Sequence, residues 1–164
     1  MAELTIRLAC LPQDEDALWA ILEPVVREGR TYPVDPAASR ADVLAYWFAP
    51  DKTVFVAEVD GRMAGTYYLK ANSTGPADHV ANAGYMVHPD ARGRGLARAM
   101  ALDSFARARA MGFAAMQFNL VVATNHAAVH LWQDVGMQVV GRLPGAFRLP
   151  NGEMADALVM YRNL

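Results

Sequence analysis

The sequence predicts one mixed α/β domain, with a mostly antiparallel central sheet and about four helices packed against it. Three observations carry this. The 164 residues suit a single domain with a single core, here residues 1–164. Apolar residues recur at strand spacing in some segments and at helical spacing in others. The order of these segments is β-α-α-β-β-β-α-β-α-β-β, a run of hairpin strands followed by strand–helix units.

Each element has a local signal. "LTIRLAC" alternates Leu4, Ile6 and Leu8 with Thr5 and Arg7, the pattern of a half-buried strand. "LPQDEDALWAILEPVVREG" reads as a helix, with Asp14, Glu15 and Asp16 at its start, Gly29 at its end and a kink at Pro24. After the loop "RTYPVDPAAS", a short helix starts with Ser39 as its cap. "KTVFVAEV" and "MAGTYYLKA" form a hairpin through Asp60-Gly61. "NSTGPADH" is a loop and "VANAGYMVHP" a strand stopped by Pro89. The Ala- and Arg-rich helix that follows closes at Gly112. "AAMQFNLVV" is a strand, and Asn125 caps a helix that ends at Gly136. "MQVVGRL" and "ADALVMYRN" are the last strands, joined through "PGAFRLPNGE".

Composition narrows the function classes. The net charge of −2 gives no electrostatic case for nucleic acid or an anionic membrane. The single cysteine, Cys10, excludes an internal disulfide framework and fits a reducing compartment. The first twenty residues lack a basic start and a long apolar run. No stretch approaches the ~20 apolar residues of a membrane helix. The expectation is a cytoplasmic protein.

The most chemical stretch is "VHPDARGRGLARAM". Gly93 and Gly95 stand between a strand and a helix, where glycine permits a tight turn and close backbone approach. Free N–H groups at a helix start, with the positive end of its dipole, make an anion site. Arg92, Arg94 and Arg98 add charge-assisted contacts suited to phosphates. The physical reading is a pyrophosphate cradle; a helix-capping basic loop is the bland alternative. A dinucleotide fingerprint fails because Arg98 occupies its third glycine position, and the Gly-Lys-Ser/Thr of a P-loop is absent.

"NHAAVHLWQDVGM" places His126, His130 and Asp134 on one helical face. A zinc hydrolase would put a glutamate beside the first histidine, where Ala127 stands. The bland reading, a solvated helix face with no metal, is favoured. Asn82 and Asn119 lie in otherwise apolar strands. A buried amide needs hydrogen bonds, so each either braces the sheet or holds a ligand. Tyr32 is on a loop and either contacts substrate or staples the core. His88 flanks the glycine loop as a candidate base or an exposed cap. Cys10 is a poor nucleophile, in an apolar strand with no histidine signature nearby.

Arg92-Gly93-Arg94-Gly95-Leu96-Ala97 matches the Q/R-x-x-G-x-G/A signature of the GNAT N-acetyltransferase superfamily, and the whole chain resembles its element order. The resemblance implies a sheet split at the cofactor site and acetyl-CoA as acyl donor. Its pyrophosphate would lie on the amides from Gly93 to Ala97, near Arg98. The strand from Tyr85 to Val87 would pair with the pantetheine arm, and the N–H of Met86 or Val87 would polarise the thioester carbonyl. A closer resemblance is to the yeast-type enzymes that acetylate proline analogues such as azetidine-2-carboxylate. It rests on "NAGYMV", "FNLVVATN", "GRLP" and "DAL". It implies that Asn82 helps hold the substrate, that Asn119 and Leu120 meet its carboxylate, and that Asn125 touches the CoA arm. Many members carry a tyrosine acid seven residues after this asparagine. Trp132 stands there, and an indole N–H donates a hydrogen bond but no proton at neutral pH. The function expected is direct acetyl transfer to a small amine in a ternary complex, by a protein that also forms a homodimer. A non-catalytic acyl-CoA-binding module is the alternative that the missing tyrosine suggests.

Overall fold

The computed structural model describes residues 3–164. The strands are β1 (Leu4–Leu8), β2 (Thr53–Val59), β3 (Arg62–Ala71), β4 (Val80–Val87), β5 (Ala115–Val122), β6 (Gln138–Arg148) and β7 (Met154–Asn163). The helices are α1 (Glu15–Glu28), α2 (Arg40–Trp47), α3 (Leu96–Ala110) and α4 (His126–Asp134). All strands join one sheet in the order β1-β2-β3-β4-β5-β7-β6. Every pairing is antiparallel except β4 with β5.

Helices cover both faces of the sheet. On α1, Leu18, Ile21, Leu22, Val25 and Val26 are buried, the i, i+3, i+4, i+7, i+8 stripe of an amphipathic helix. Ile21, Leu22, Val25 and Val26 of this stripe pack with Val43 and Trp47 of α2 onto Val54, Tyr68 and Met86. On the other face, Leu96, Met100, Ala101 and Phe105 of α3 and Trp132 of α4 pack onto Phe55, Tyr67, Leu69 and Phe118. The first core contains a polar tie: Trp47 Nε1 donates to Thr66 Oγ1 at 3.1 Å, and Thr66 donates to the Phe55 carbonyl at 2.7 Å. Both groups are buried, so each needs its partner.

The local signals hold at the helix ends. Ser39 Oγ accepts from the Asp42 N–H at 3.1 Å, and Asn125 Oδ1 accepts from the Ala128 N–H at 3.3 Å. Gly29 closes α1 in the left-handed conformation, φ 62°. Pro24 lies inside α1, as the sequence places it. One expectation changes. β6 does not stop at Leu143 but runs to Arg148, so the turn lies after "PGAFR". Pro144 is tolerated because β6 is an edge strand and its pairing with β7 is irregular between Leu143 and Phe147.

The β4–β5 pair decides the rest. It is registered at only two positions, Val80 with Ala115 and Ala81 with Met116, and the strands then diverge. Beyond Ala81, β4 has a partner on its β3 side only.

β1 is tied to α1 by charge. Arg7 donates to both Asp14 oxygens, at 2.7 and 2.9 Å, and pairs with Glu58 at 2.6 Å. The hydrogen bonds from Arg7, then that from the Cys10 N–H, hold the Asp14 carboxyl below its usual range against the opposing effect of burial. A depressed folded pKa contributes stability that is present above the unfolded value of about 4 and lost as pH falls through the folded one. Asp14→Asn should therefore lower Tm at pH 7 by roughly 3–10 °C, from about 1–3 kcal/mol of lost charged hydrogen bonding. The gap between variant and parent should close as pH falls below about 4. Thermal melts across pH 2–7 read both effects; a gap that stays constant with pH would contradict the assignment.

Candidate active site

A cleft of about 930 Å³ opens where β4 and β5 part. Its walls are the loop after α1, the ends of β3, β4 and β5, and the start of α4. Of the residues nominated from sequence, it brings together Tyr32, Asn82, Met86, Val87, Arg92, Asn119, Leu120 and Asn125.

Which backbone groups face the gap follows from the alternation of an antiparallel ladder. The Val80 carbonyl accepts from the Asn72 N–H, and the His88 N–H donates to the Ala64 carbonyl, both at 2.8 Å. Even-numbered residues of β4 therefore bond to β3, in register Thr66 with Met86. Odd-numbered residues, Tyr85 and Val87 among them, turn their N–H and C=O toward the gap. This corrects one expectation. The Met86 N–H belongs to the β3 ladder, and its side chain is 2% exposed in the α1–α2 core. Of the two candidate amides, only that of Val87 faces the cleft.

Tyr85 shows the same geometry from the other side. Its N–H donates to the Tyr32 hydroxyl at 2.6 Å, and the same hydroxyl donates to its carbonyl at 2.7 Å. Tyr32 thus stands in for the missing strand at one residue. Burial, with smaller contributions from nearby tyrosines, pushes its phenol well above the usual range, so it stays protonated and can donate. The sequence alternatives for Tyr32 were substrate contact or core staple; its ring packs edge-on to Trp47, centres 5.9 Å apart, as a staple does, and its hydroxyl satisfies backbone. The Tyr85 ring points to the opposite face, its hydroxyl 2.6 Å from Ser104 Oγ. There it packs on Trp132, ring centres 4.9 Å apart.

The asparagines form one network. Asn82 Nδ2 donates to Asn72 Oδ1 at 2.9 Å, and Asn119 Nδ2 donates to the same oxygen at 2.7 Å. Gln117 Nε2 adds a bond to Asn119 Oδ1 at 2.9 Å. Asn72 therefore bridges β4 and β5 where the sheet no longer does. Sequence reading passed over Asn72 because it opens a polar loop; an Asn at the end of a strand hairpin was its only signal. Asn119 and Leu120 lie where the β5–β7 register slips by one residue, between Phe118 and Val121. A bulge takes its extra residue out of the ladder.

The glycine loop has the form that an anion cradle requires. Gly93 and Gly95 have φ 75° and 78°, and an added Cβ at either would meet nothing. Glycine is needed there for conformation, and the space above it is open to a ligand. The α3 start has no side-chain cap, leaving the N–H groups of Leu96, Ala97 and Arg98 without an intrahelical acceptor. Arg94 and Arg98 are exposed; Arg92 pairs with Glu28 at 3.0 Å. These residues fit a pyrophosphate. Thr31 Oγ1, which is buried and lacks a partner, also lines the cleft.

The helix face of histidines is solvated. His130 is 80% exposed and Asp134 59% exposed, 3.7 Å apart. Among the described residues no group of three or more His, Cys, Asp or Glu side chains could hold a metal ion. Among the described residues no helix is long and apolar enough to cross a membrane. Cys10 is exposed rather than buried, at the surface before α1.

Tyr32→Phe tests the strand substitute. It leaves the N–H and C=O of Tyr85 unpaired inside the cleft, a cost of about 1–3 kcal/mol. Thermal unfolding should show Tm roughly 3–10 °C lower. An unchanged Tm would mean that the hydroxyl satisfies nothing that water does not.

Comparison with known proteins places this arrangement. The model of the acetyltransferase (GNAT) family matches residues 17–137. The chain is 28% identical over 144 residues to N-acetyltransferase aca1 of Schizosaccharomyces pombe, a match spanning 78% of this chain and 69% of the relative. A GCN5-related N-acetyltransferase from Kribbella flavida superposes with a TM-score of 0.91 at 37% identity, covering 98% of each chain. Salmonella typhimurium yncA, solved with its cofactor acetyl-CoA, has the same fold, with a TM-score of 0.84 at 23% identity over 98% of this chain and 94% of its own. With a phosphate-type loop, a split sheet and the family match all in place, the chain belongs to the GNAT acetyltransferase family and is an acyltransferase.

Proposed function

We propose that this enzyme moves the acetyl group of acetyl-CoA to the amine of a small molecule, an amino acid or proline analogue, by direct attack in a ternary complex. The observation that carries the reading is the gap beside β4. It sets a free backbone donor, the Val87 N–H, between a phosphate-type loop and a cluster of side-chain amides.

Acetyl-CoA supplies the activated acyl group. The amides from Gly93 to Ala97, with Arg94 and Arg98, receive its pyrophosphate. Arg92 shapes the same loop through Glu28. Asn125 spends its oxygen on the helix cap and keeps its NH₂ for the pantetheine arm. The Val87 N–H donates to the thioester oxygen and gains strength as negative charge develops there. Asn82, fixed through its NH₂ by Asn72, offers its oxygen to the attacking amine. The bulge at Asn119 and Leu120 offers N–H groups to an acceptor carboxylate. Direct attack needs no covalent enzyme intermediate, so placing the two reactants supplies much of the rate. Protein acceptors such as basic tails fit poorly, since the sequence has no acidic run to receive them.

Incubation with acetyl-CoA and an amine panel that includes azetidine-2-carboxylate should release thiol with at least one amine. Acetyl-CoA binding without turnover on any amine would overturn the reading. Val87→Pro refines the test. Its lost N–H faces the gap, so no ladder bond goes with it. It should retain acetyl-CoA binding and lose roughly 10²–10³ in kcat, the range for one oxyanion donor. A variant that turns over normally would remove Val87 from the mechanism.

The proposed homodimer would use β6. This edge strand leaves Val139, Val140 and Leu143 more than two-fifths exposed. Light scattering after size exclusion should give twice the chain mass, and Val140→Lys should return it to one.

A further inference from the structure

Lys52 stands on the half of the cleft that the mechanism above leaves unused. Register places it there. Thr53 pairs with Leu69, so Lys52 lies beside Lys70, and Lys70 pairs with Asn82. Directly paired residues share a face of a sheet. Lys52, Lys70 and Asn82 therefore form one row across β2, β3 and β4, on the α1–α2 side, and Asn72 continues it to Asn119. Two ammonium groups occupy one end of the row and three amides the other.

The two lysines are not equivalent. Lys70 is neutralised by Asp51 at 2.9 Å. Lys52 has no carboxylate partner among the described residues. Its Nζ donates to the Tyr46 carbonyl at 2.6 Å and lies 3.7 Å from the ring centre of Tyr46 and 4.3 Å from that of Tyr68. Carbonyl and ring faces hold a cation in place without cancelling its charge. An ammonium has three donors, and only one makes a conventional hydrogen bond; the ring contacts are weaker and can yield to an anion. A half-buried, fixed cation with free donors in a cleft is built for an anion.

We propose that Lys52 forms an anion subsite for a carboxylate carried by the acceptor at a distance from its reacting amine. This rests on the transferase reading, with the amine at the Asn82 end. Lys52, just before β2, and Asn119, on β5, are separated by three strand spacings, at least about 14 Å between backbones at ~4.8 Å per paired strand and more because β4 and β5 part there. A carboxylate next to the amine therefore reaches the Asn119–Leu120 bulge but not Lys52. The group at Lys52 is a second, side-chain carboxylate, and the substrate class is an amino diacid.

The test compares amino diacids of increasing side-chain length with their ω-amides, in the parent, Lys52→Met and Lys52→Arg. Met keeps the length and packing of the stem without the charge. The parent should prefer a diacid to its amide. Lys52→Met should lower kcat/KM for the diacid roughly 10- to 100-fold, mostly in KM, the range of a lost charged hydrogen bond. The amide should be little affected, and Lys52→Arg should retain most of the preference. Burial first, then repulsion from Lys70, lowers Lys52 to about 8 against the pull of Asp51. With Asp51, Lys70 and the rings of Tyr46 and Tyr68 around it, the diacid KM should rise above about pH 8 in the parent and stay flat in Lys52→Arg. Equal losses on diacid and amide, or none, would overturn the proposal while leaving the transferase reading intact if other amines react. If no amine reacts, thermal shifts in saturating acetyl-CoA decide it. Stabilisation by diacids that Lys52→Met lacks supports the subsite, and its absence overturns it.

Discussion

A strand with a neighbour on only one side carries backbone donors and acceptors that its own sheet cannot satisfy. In this protein that strand is β4 beyond Ala81, and the rest of the site follows from it. Each unpaired group in a half-dry cleft must find a partner in a side chain, water or a ligand. At Tyr85 the partner is the Tyr32 hydroxyl, which both accepts and donates. Where β4 and β5 part, three asparagines replace backbone bonds with side-chain bonds. Among the described residues no side chain takes the Val87 N–H, and that position adjoins the glycine loop. The divergence thus does two things at once. It opens the cleft, and it leaves a fixed backbone donor facing into it.

The divergence also dictates what packs around it. Met86 and Val87 are neighbours, yet one is locked into the ladder and the core while the other faces the cleft. Gly84 belongs to the same strand for a different reason. A Cβ there would lie 2.6 Å from the Tyr68 ring, so only glycine lets that ring cross the strand. Tyr68 in turn packs edge-on to Trp47, at 4.9 Å, and forms one side of the cage around Lys52. A backbone requirement in β4 is in this way connected to the charge at the far end of the cleft.

These relations explain which parts were legible in the sequence. Helix starts and stops were, because a cap acts within three or four residues: Ser39, Gly29 and Asn125 each do what their type and position suggest. The glycine loop was legible because positive φ at a strand–helix junction calls for glycine. The extent of β6 was not, since Pro144 and Gly145 read as a turn unless the strand is known to be an edge. The choice between Met86 and Val87 depends on register with β3, which alternates by single residues and leaves no mark on composition. Tyr32 and Tyr85 are 53 positions apart. No local pattern says that a loop tyrosine will serve as a strand. Asn72 and Lys52 were missed for the same reason: their meaning lies in what crosses the sheet beside them.

The tryptophan at position 132 shows what replaces a proton donor in this frame. Trp132 is 9% exposed and packs against Tyr85 at 4.9 Å and Phe118 at 5.0 Å. It closes the α4 side of the cleft with apolar surface. Tyr85, whose ring packs on the indole, does not take over as acid. Its hydroxyl is bound to Ser104 on the far face, and burial raises it further above the neutral range. A thiolate is a far better leaving group than an amine anion, since an ordinary thiol titrates near 8.5. Departure of the thiol therefore demands less of the protein than attack does. In the proposed mechanism fixed donors hold the amine, the carbonyl oxygen and the acceptor's charge, the last proton goes to water, and the indole contributes shape rather than acid.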